Sequence, residues 1–213
     1  MRKTTGLTAM YLDFTQMLPA EIYFAMTQTL VPRPIAWVLS ENADGGLNLA
    51  PFSYFSAVNS DPPLLSVSVG SKPDGSLKDT RANILQRQHF VVHIAHTDML
   101  EALNASAQPL PAGESEVEML GLETVPFEGF SLPRLKACRV AFACELHAEV
   151  PLGNAAYSLL LGRITALYAD DNIASRNAKG RFRVDAAALQ PLGRLGADEY
   201  VRFGETLTLK RPD

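Results

Sequence analysis

Cysteine is scarce: Cys138 and Cys144 are the only two in 213 residues. They lie six apart in a strand-like stretch, so at about 3.3 Å per residue they share a face roughly 20 Å apart, beyond disulfide reach. Two reduced thiols packed as small hydrophobes are expected. An excess of basic charge is also missing. Lys and Arg total 19 against 23 Asp and Glu, a formal charge of −4, which argues against a nucleic-acid partner. Any anion must therefore be held by a local arrangement of donors rather than by a general field. No apolar run approaches the ~20 residues that span a bilayer. The N-terminal MRKTTGLTAMYLDF begins basic, but Thr8 and Asp13 interrupt its apolar residues, so no signal peptide is expected. The expectation is a cytoplasmic protein without a membrane partner.

The usual catalytic devices are lacking as well. There is no G-x-S-x-G elbow, no P-loop, no HExxH and no CxxC, which leaves a hydrolase little to work with. Asp170 and Asp171 sit beside Asn172 in a solvated turn. Of the four histidines, His89 and His93 share a strand face while His96 falls on the other, so no zinc set is expected.

What is present suits one globular domain over residues 1–213, with its core at about 20–205: 47% of residues are apolar and 20% charged. Pro and Gly punctuate the chain every ten or so residues, the rhythm of a β protein. Strand-like runs are Pro34 to Ser40, Phe52 to Val58, Leu64 to Gly70, Phe90 to Ala95, Ala137 to Val150 and Tyr157 to Ala169. Leu65, Val67 and Val69 alternate with Ser66 and Ser68, which predicts a sheet with one buried face. The last two runs form a hairpin across Pro151 to Ala156, with Gly153-Asn154 as turn residues. Helices are fewer. Asp79 or Thr80 caps one to about Gln88, Thr97 or Asp98 caps another through Ala105, and Glu114 to Leu120 is a third. The sum is an all-β fold, an antiparallel split β-barrel of Greek-key type with a few short helices.

The run Arg33 to Asn83 carries the chemistry. In NLAPFSYFSAVN, the small polar groups Asn48, Ser53, Tyr54, Ser56 and Asn59 lie among the aromatics Phe52 and Phe55. Pro51 removes a backbone donor and is expected to make the strand irregular, freeing neighbouring amides. Such a surface suits a flat heteroaromatic ring with a polar edge, although an edge strand with a bulge has the same pattern. Further on, Gly75 and Ser76 turn the chain, Lys78 adds charge and Asp79-Thr80 open a helix. Free N–H groups, a hydroxyl and an ammonium there form a phosphate cradle, with Asn83 one turn on. A ring platform followed by an anion cradle matches a mononucleotide.

Four pieces, RPIAWV, N-x-APFSYF with the SDPPL after it, KDT-x-x-NI, and PLGRLGADEY, occur in this order. Together they resemble the flavin reductase-like, FMN-binding split-barrel family, near its flavoredoxin-type branch, over roughly residues 20 to 205. The resemblance implies that Asn48 and the stretch Ala50, Pro51, Phe52, Ser53, Tyr54 and Phe55 line the isoalloxazine of FMN. It implies that Ser66 and Ser68 lie beside the ribityl chain, and that Lys78, Asp79, Thr80 and Asn83 take the phosphate. Arg194, Gly196 and Tyr200 would belong to a C-terminal loop near the ring or reaching the partner of a homodimer. His93 stands where the family more often has Asn, and Ala197 where a second Gly is commoner. The cofactor does the chemistry in such a protein, so no catalytic side chain and no metal are expected. One phosphate cradle without an adenine pocket favours FMN over FAD. Two classes stay open: an NAD(P)H-dependent flavin reductase, or an FMN carrier that exchanges electrons with a redox partner protein. The basic stretch Arg176 to Arg183 is either a nicotinamide-nucleotide dock or a solvated loop.

Overall fold

The computed structural model describes residues 9–111, 113–153, 157–210 and 212. Its centre is a seven-stranded antiparallel sheet: β1 (Ala36–Glu41), β2 (Leu47–Phe52), β3 (Phe55–Ser60), β4 (Pro63–Gly70), β5 (His89–Ile94), β6 (Val140–Leu152) and β7 (Tyr157–Ala169). The spatial order is β2-β1-β5-β6-β7-β4-β3. The two edge strands, β2 and β3, are thus consecutive in the chain, with only Ser53 and Tyr54 between them. The three chain steps from Phe52 to Phe55 reach at most about 10–11 Å, so the sheet has to curl until its edges nearly meet. They meet without pairing, and the barrel stays split along that seam. The run Phe52 to Val58, expected as one strand, is therefore broken at Ser53-Tyr54, and its halves lie on opposite lips of the split.

Alternation on β4 sorts the two faces. Leu65, Val67 and Val69 point into the barrel, where they meet Ala36, Val38, Phe90, Val92 and Leu160, while Ser66 and Ser68 stay half-exposed on the outer face. Phe90 sits so close to β7 that a Cβ at Gly162 would lie 2.5 Å from its Cζ, which explains a glycine in mid-strand. The long connection from β4 to β5 carries the helix α2 (Asp79–Arg87), which inserts Ile84 into this core. A second core covers the outside of β1, β2 and β5. There Trp37, Leu39, Leu49 and Val91 pack with Leu103 of α3 (Leu100–Ala105), Val117 of α4 (Glu116–Met119), and Phe127, Leu132 and Leu135. Strand β1 is consequently buried on both faces, so AWVL is a continuous apolar run rather than an alternating one.

The N-terminal helix α1 (Pro19–Thr29) had no clear sequence signal. Arg33 ties it down: this buried guanidinium donates to the carbonyls of Thr27 (2.6 Å), Leu30 (2.8 Å) and Leu195 (2.7 Å) and to Ser53 Oγ (3.3 Å). One side chain thus joins α1, the barrel seam and the C-terminal loop, satisfying three carbonyls that would otherwise be orphaned. The β6–β7 hairpin forms as expected, with Leu152 opposite Tyr157 and Gly153 at positive φ; Asn154 lies outside the described residues. The two cysteines do not share a face: Cys138 precedes β6 and joins the outer core, whereas Cys144 points into the barrel. Burial pushes the Cys138 thiol up to about 12 and raises that of Cys144 as well, so both are inert thiols. Among the described residues no helix is long and apolar enough to cross a membrane, and no His/Cys/Asp/Glu group of three could hold a metal ion.

Candidate functional site

A cleft of about 760 Å³ opens beside the free edge of β2. One wall is β2 itself, with Asn48, Ala50, Pro51 and Phe52. A second is the turn Ser71 to Asp74 with the start of α2. The third is the loop Ser106 to Leu110 with Glu116. The 72–76 turn is tightly bonded: Lys72 N–H donates to the Ser76 carbonyl (2.8 Å), Gly75 N–H to Lys72 (2.9 Å), and Asp74 accepts from the Ser76 backbone and hydroxyl. Gly75 at φ +84 makes the reversal possible.

The turn delivers α2 with its N-terminus on the cleft. Lys78, not Asp79 or Thr80, occupies the cap position, in extended backbone, and no side chain caps the helix. Lysine has no acceptor to offer. Ala82 N–H bonds back to the Lys78 carbonyl, so the amides of Asp79, Thr80 and Arg81 have no intrahelical partner. The positive end of the helix dipole adds to them. The Asp79 carboxylate, which would repel an anion, is paired with Lys72 at 2.9 Å. Lys78 makes no ion pair among the described residues; its Nζ lies 5.9 Å from the Phe52 ring centroid.

Thr80 and Asn83 face the protein rather than solvent. Asn48 Nδ2 donates to Thr80 Oγ1 (2.9 Å) and Ser40 Oγ (3.2 Å). Asn83 Nδ2 donates to Asn42 Oδ1 (2.8 Å) and Ser40 Oγ (3.2 Å). All five residues are buried, so the network locks α2 onto β1 and β2. Thr80 still lines the cleft; Asn83 does not.

The pairing of β2 with β1 runs without a shift from Ala36↔Phe52 to Glu41↔Leu47. The irregularity expected at Pro51 is absent, for a reason of parity. Leu49 N–H points away from β1, to Glu116 Oε2 at 2.8 Å, so by the period of two Pro51 also turns its nitrogen to the open edge, where no ladder bond is lost. Ser115 Oγ donates to the Leu47 carbonyl in the same row. The edge that carries the platform is thus held by two side chains. The sequence did not single out Glu116, since nothing separates it by type from Glu114 and Glu118.

The other expected residues lie further off. Ser53 and Tyr54 form the seam; Ser53 accepts from Arg33, and Tyr54 is 6.3 Å from Tyr23 ring to ring. Phe55 packs against the barrel interior, while Ser66 and Ser68 line up on the outer face of β4. Arg194 stacks on Tyr200 at 4.4 Å and donates to the carbonyls of Glu199 and Ala197. A Cβ on Gly196 would run into Gln28 of α1. Tyr200 Oη donates to Asn104 Oδ1 at 3.0 Å, two residues before the cleft-lining loop, so this C-terminal loop braces the cleft from behind α3. The stretch Arg176 to Arg183 forms an exposed hairpin, Ala174–Arg176 against Phe182–Val184, and lines no part of the cleft. His93 is fully buried; its Nδ1–H donates to the Trp37 carbonyl (3.2 Å) while Nε2 accepts the Leu135 N–H (2.9 Å). It is a structural, neutral imidazole.

A cleft of this size falls in the ~300–1,000 Å³ range of small-molecule sites. Its donor set is polarised, with cationic and amide donors at the α2 end and Pro51 and Phe52 beside it. That fits a ligand with an anionic end and a flat apolar body.

The model of the "Flavin reductase like domain" matches residues 27–184. An uncharacterised protein of Halalkalibacterium halodurans is 38% identical over 196 residues, 90% of this chain and 91% of its own. The crystal structure of nitrilotriacetate monooxygenase component B from Bacillus cereus superposes with a TM-score of 0.88 at 34% identity, over 96% of this chain and all of that one. That of the Pseudomonas fluorescens 2-nitrobenzoate 2-nitroreductase NbaA gives 0.84 at 28% identity, over 95% and 96%. With the family model covering well over half its length, the chain belongs to the flavin reductase-like domain family.

Proposed function

We propose that the protein binds FMN in this cleft and acts as an NAD(P)H-dependent flavin reductase. The observation that carries the reading is the uncapped N-terminus of α2, where three amides without intrahelical partners and the Lys78 ammonium, which makes no ion pair among the described residues, adjoin a cleft walled by Asn48, Ala50, Pro51 and Phe52. Asp79, Thr80 and Arg81 amides with Lys78 would hold the phosphate. Ala50, Pro51 and Phe52 would flank the ring, and the Asn48–Thr80 bond would keep the two ends in fixed relation. When bound, FMN supplies a two-electron centre that accepts hydride from a nicotinamide and passes electrons on. The chain's part is to orient and to exclude: of the acids that line the cleft, Asp79 is held by Lys72 and Glu116 by the Leu49 N–H.

The same reading extends to a homodimer. Strand β3 is an unprotected edge, exposed from Ser56 to Ser60, and Tyr23, Phe24, Leu30 and Val31 at α1 are exposed apolar groups. Such a surface calls for cover by a second copy.

The binding step has a built-in reporter. Trp37 is the only tryptophan, and its Nε1–H donates to Ser106 Oγ at 2.8 Å, on the cleft wall. Titration with FMN is expected to quench Trp37 emission to saturation at one FMN per chain; unchanged emission together with no retained flavin after gel filtration would reject the assignment.

A further inference from the structure

Glu116 is an acid of the cleft that makes no ion pair among the described residues. It is 7% exposed, sits at the first position of α4, and lines the same cavity as Lys78, Asp79 and Thr80. Oε2 is taken by Leu49 N–H, while Oε1 accepts nothing from another residue among those described. Its position relative to α2 follows from two bonds: Asn48 reaches Thr80 through its side chain, and the next residue, Leu49, reaches Glu116 through its amide. The groups that face it are Lys78, Asp79 and Thr80 on α2, Lys72 and Asp74 on the preceding turn, Ser106 and Gln108 on the opposite loop, and Ser115 on its own element. Of the two cations, Lys72 is engaged by Asp79 and Lys78 is assigned to the phosphate, so Glu116, Asp74 and Asp79 line this cavity as three acids with one ion pair among them.

A dianionic phosphate placed at the α2 terminus would bring a fourth negative group into that cavity. Like charges at such range cannot all persist in a partly dry site. The least solvated of them without a cationic partner is Glu116. Burial already pushes its carboxyl above the ordinary carboxylate range, with the charge of Asp79 adding to the shift and the Leu49 amide opposing it.

We propose that Glu116 is a proton-linked contact for the phosphate end of the ligand: on binding, its carboxylate takes one proton from solvent and presents the resulting O–H to the phosphate. The reaction balances as carboxylate plus solvent proton giving carboxyl, with Oε2 still accepting from Leu49. This inference rests on the phosphate site assigned above. It makes the cleft selective for phosphorylated flavin in a pH-dependent way: FMN should bind more tightly as pH falls, by up to about tenfold per unit where uptake is complete. Riboflavin, without the phosphate, should show no such dependence.

The test is calorimetric titration of the full chain with FMN and with riboflavin, in two buffers of different ionisation enthalpy, from about pH 8 down to 5, comparing wild type with Glu116→Gln. The Gln amide oxygen can still accept from Leu49 N–H, which keeps the β2 edge clamped. The phosphate group itself titrates near pH 6 and would shed protons in a cationic site, the opposite sign, but equally in both proteins. The expected result is an excess uptake approaching one proton per FMN in wild type over Glu116→Gln, and no excess with riboflavin. Identical proton stoichiometry in the two proteins at every pH, with FMN bound, overturns this proposal alone. Wild type that binds neither flavin overturns the cofactor reading and this proposal with it. Should the Gln variant not fold, the wild type carries the same decision between pH 8 and 7, where the phosphate is already dianionic: an FMN-to-riboflavin affinity ratio that rises over that interval supports the proposal, and a flat or falling ratio rejects it.

Discussion

Replacing Lys78 with Ala should separate the two ends of the ligand. Lys78 stands at the cap of α2 with no carboxylate partner among the described residues, so its charge is available in full. Its ammonium lies 5.9 Å from the Phe52 ring centroid, an exposed cation–π contact worth about 0.5–1 kcal/mol. A charge-assisted hydrogen bond to phosphate contributes about 1.5–3 kcal/mol. Because the side chain is exposed, the lower half of that range applies, and solvent screening limits it further. Lys78→Ala should therefore raise the Kd for FMN by roughly ten- to thirtyfold at low salt. Riboflavin should lose no more than the aromatic contact, up to about fivefold. Lys72→Ala is the internal control: its ammonium is committed to Asp79, and its removal should expose that carboxylate to the phosphate, again weakening FMN and sparing riboflavin. Trp37 quenching reads both ligands in one format. Equal loss for FMN and riboflavin in Lys78→Ala would refute the placement of the phosphate at α2.

Two further outcomes are expected. Burial lowers His93 from the ordinary value near 6.5 to about 4, against the Trp37 carbonyl that favours the charged form; the unfolded chain thus binds a proton that the native state refuses, and stability present at neutral pH should be lost as pH falls through 6.5 towards 4, by about 3 kcal/mol in all. Urea midpoints against pH should show this slope, and His93→Asn, which keeps one donor and one acceptor, should flatten it; an unchanged slope would contradict the assignment. Light scattering of the FMN-loaded protein should give twice the 23.2 kDa chain mass, and a stable monomer would remove the argument from the exposed β3 edge.

The barrel was legible because its signals are local. Alternation at Leu65, Val67 and Val69 and the hairpin at 151–156 report burial and reversal directly. Two features were not legible, since each depends on partners distant in sequence. The break at Ser53-Tyr54 follows from curling the whole sheet, and no residue there announces it. Pro51 suggested irregularity, yet its effect depended on which edge of β2 was open, and that is set by the register with β1, which turns the Leu49 N–H to Glu116. In the cleft, the sequence marked the α2 end as a cluster of donors and assumed a side-chain cap, which the helix lacks. The uncapped helix, the inward turn of Asn83 and the loop Ser106 to Leu110 are products of packing. Arg33 shows the converse: its place in RPIAWV marked it, but only the fold shows that it joins three segments.

Anaerobic stopped-flow mixing of the FMN-saturated protein with NADH and with NADPH asks whether flavin held in this cleft keeps one face open to a nicotinamide. The reading predicts bleaching of the oxidised flavin band in a single saturable phase with at least one nucleotide. It also predicts that Ser53→Leu slows this phase strongly while the circular dichroism of the fold is kept, because Ser53 lies at the seam next to Phe52. Bleaching with neither nucleotide, in protein shown to be saturated with FMN, would contradict the reductase reading and leave an electron carrier in its place.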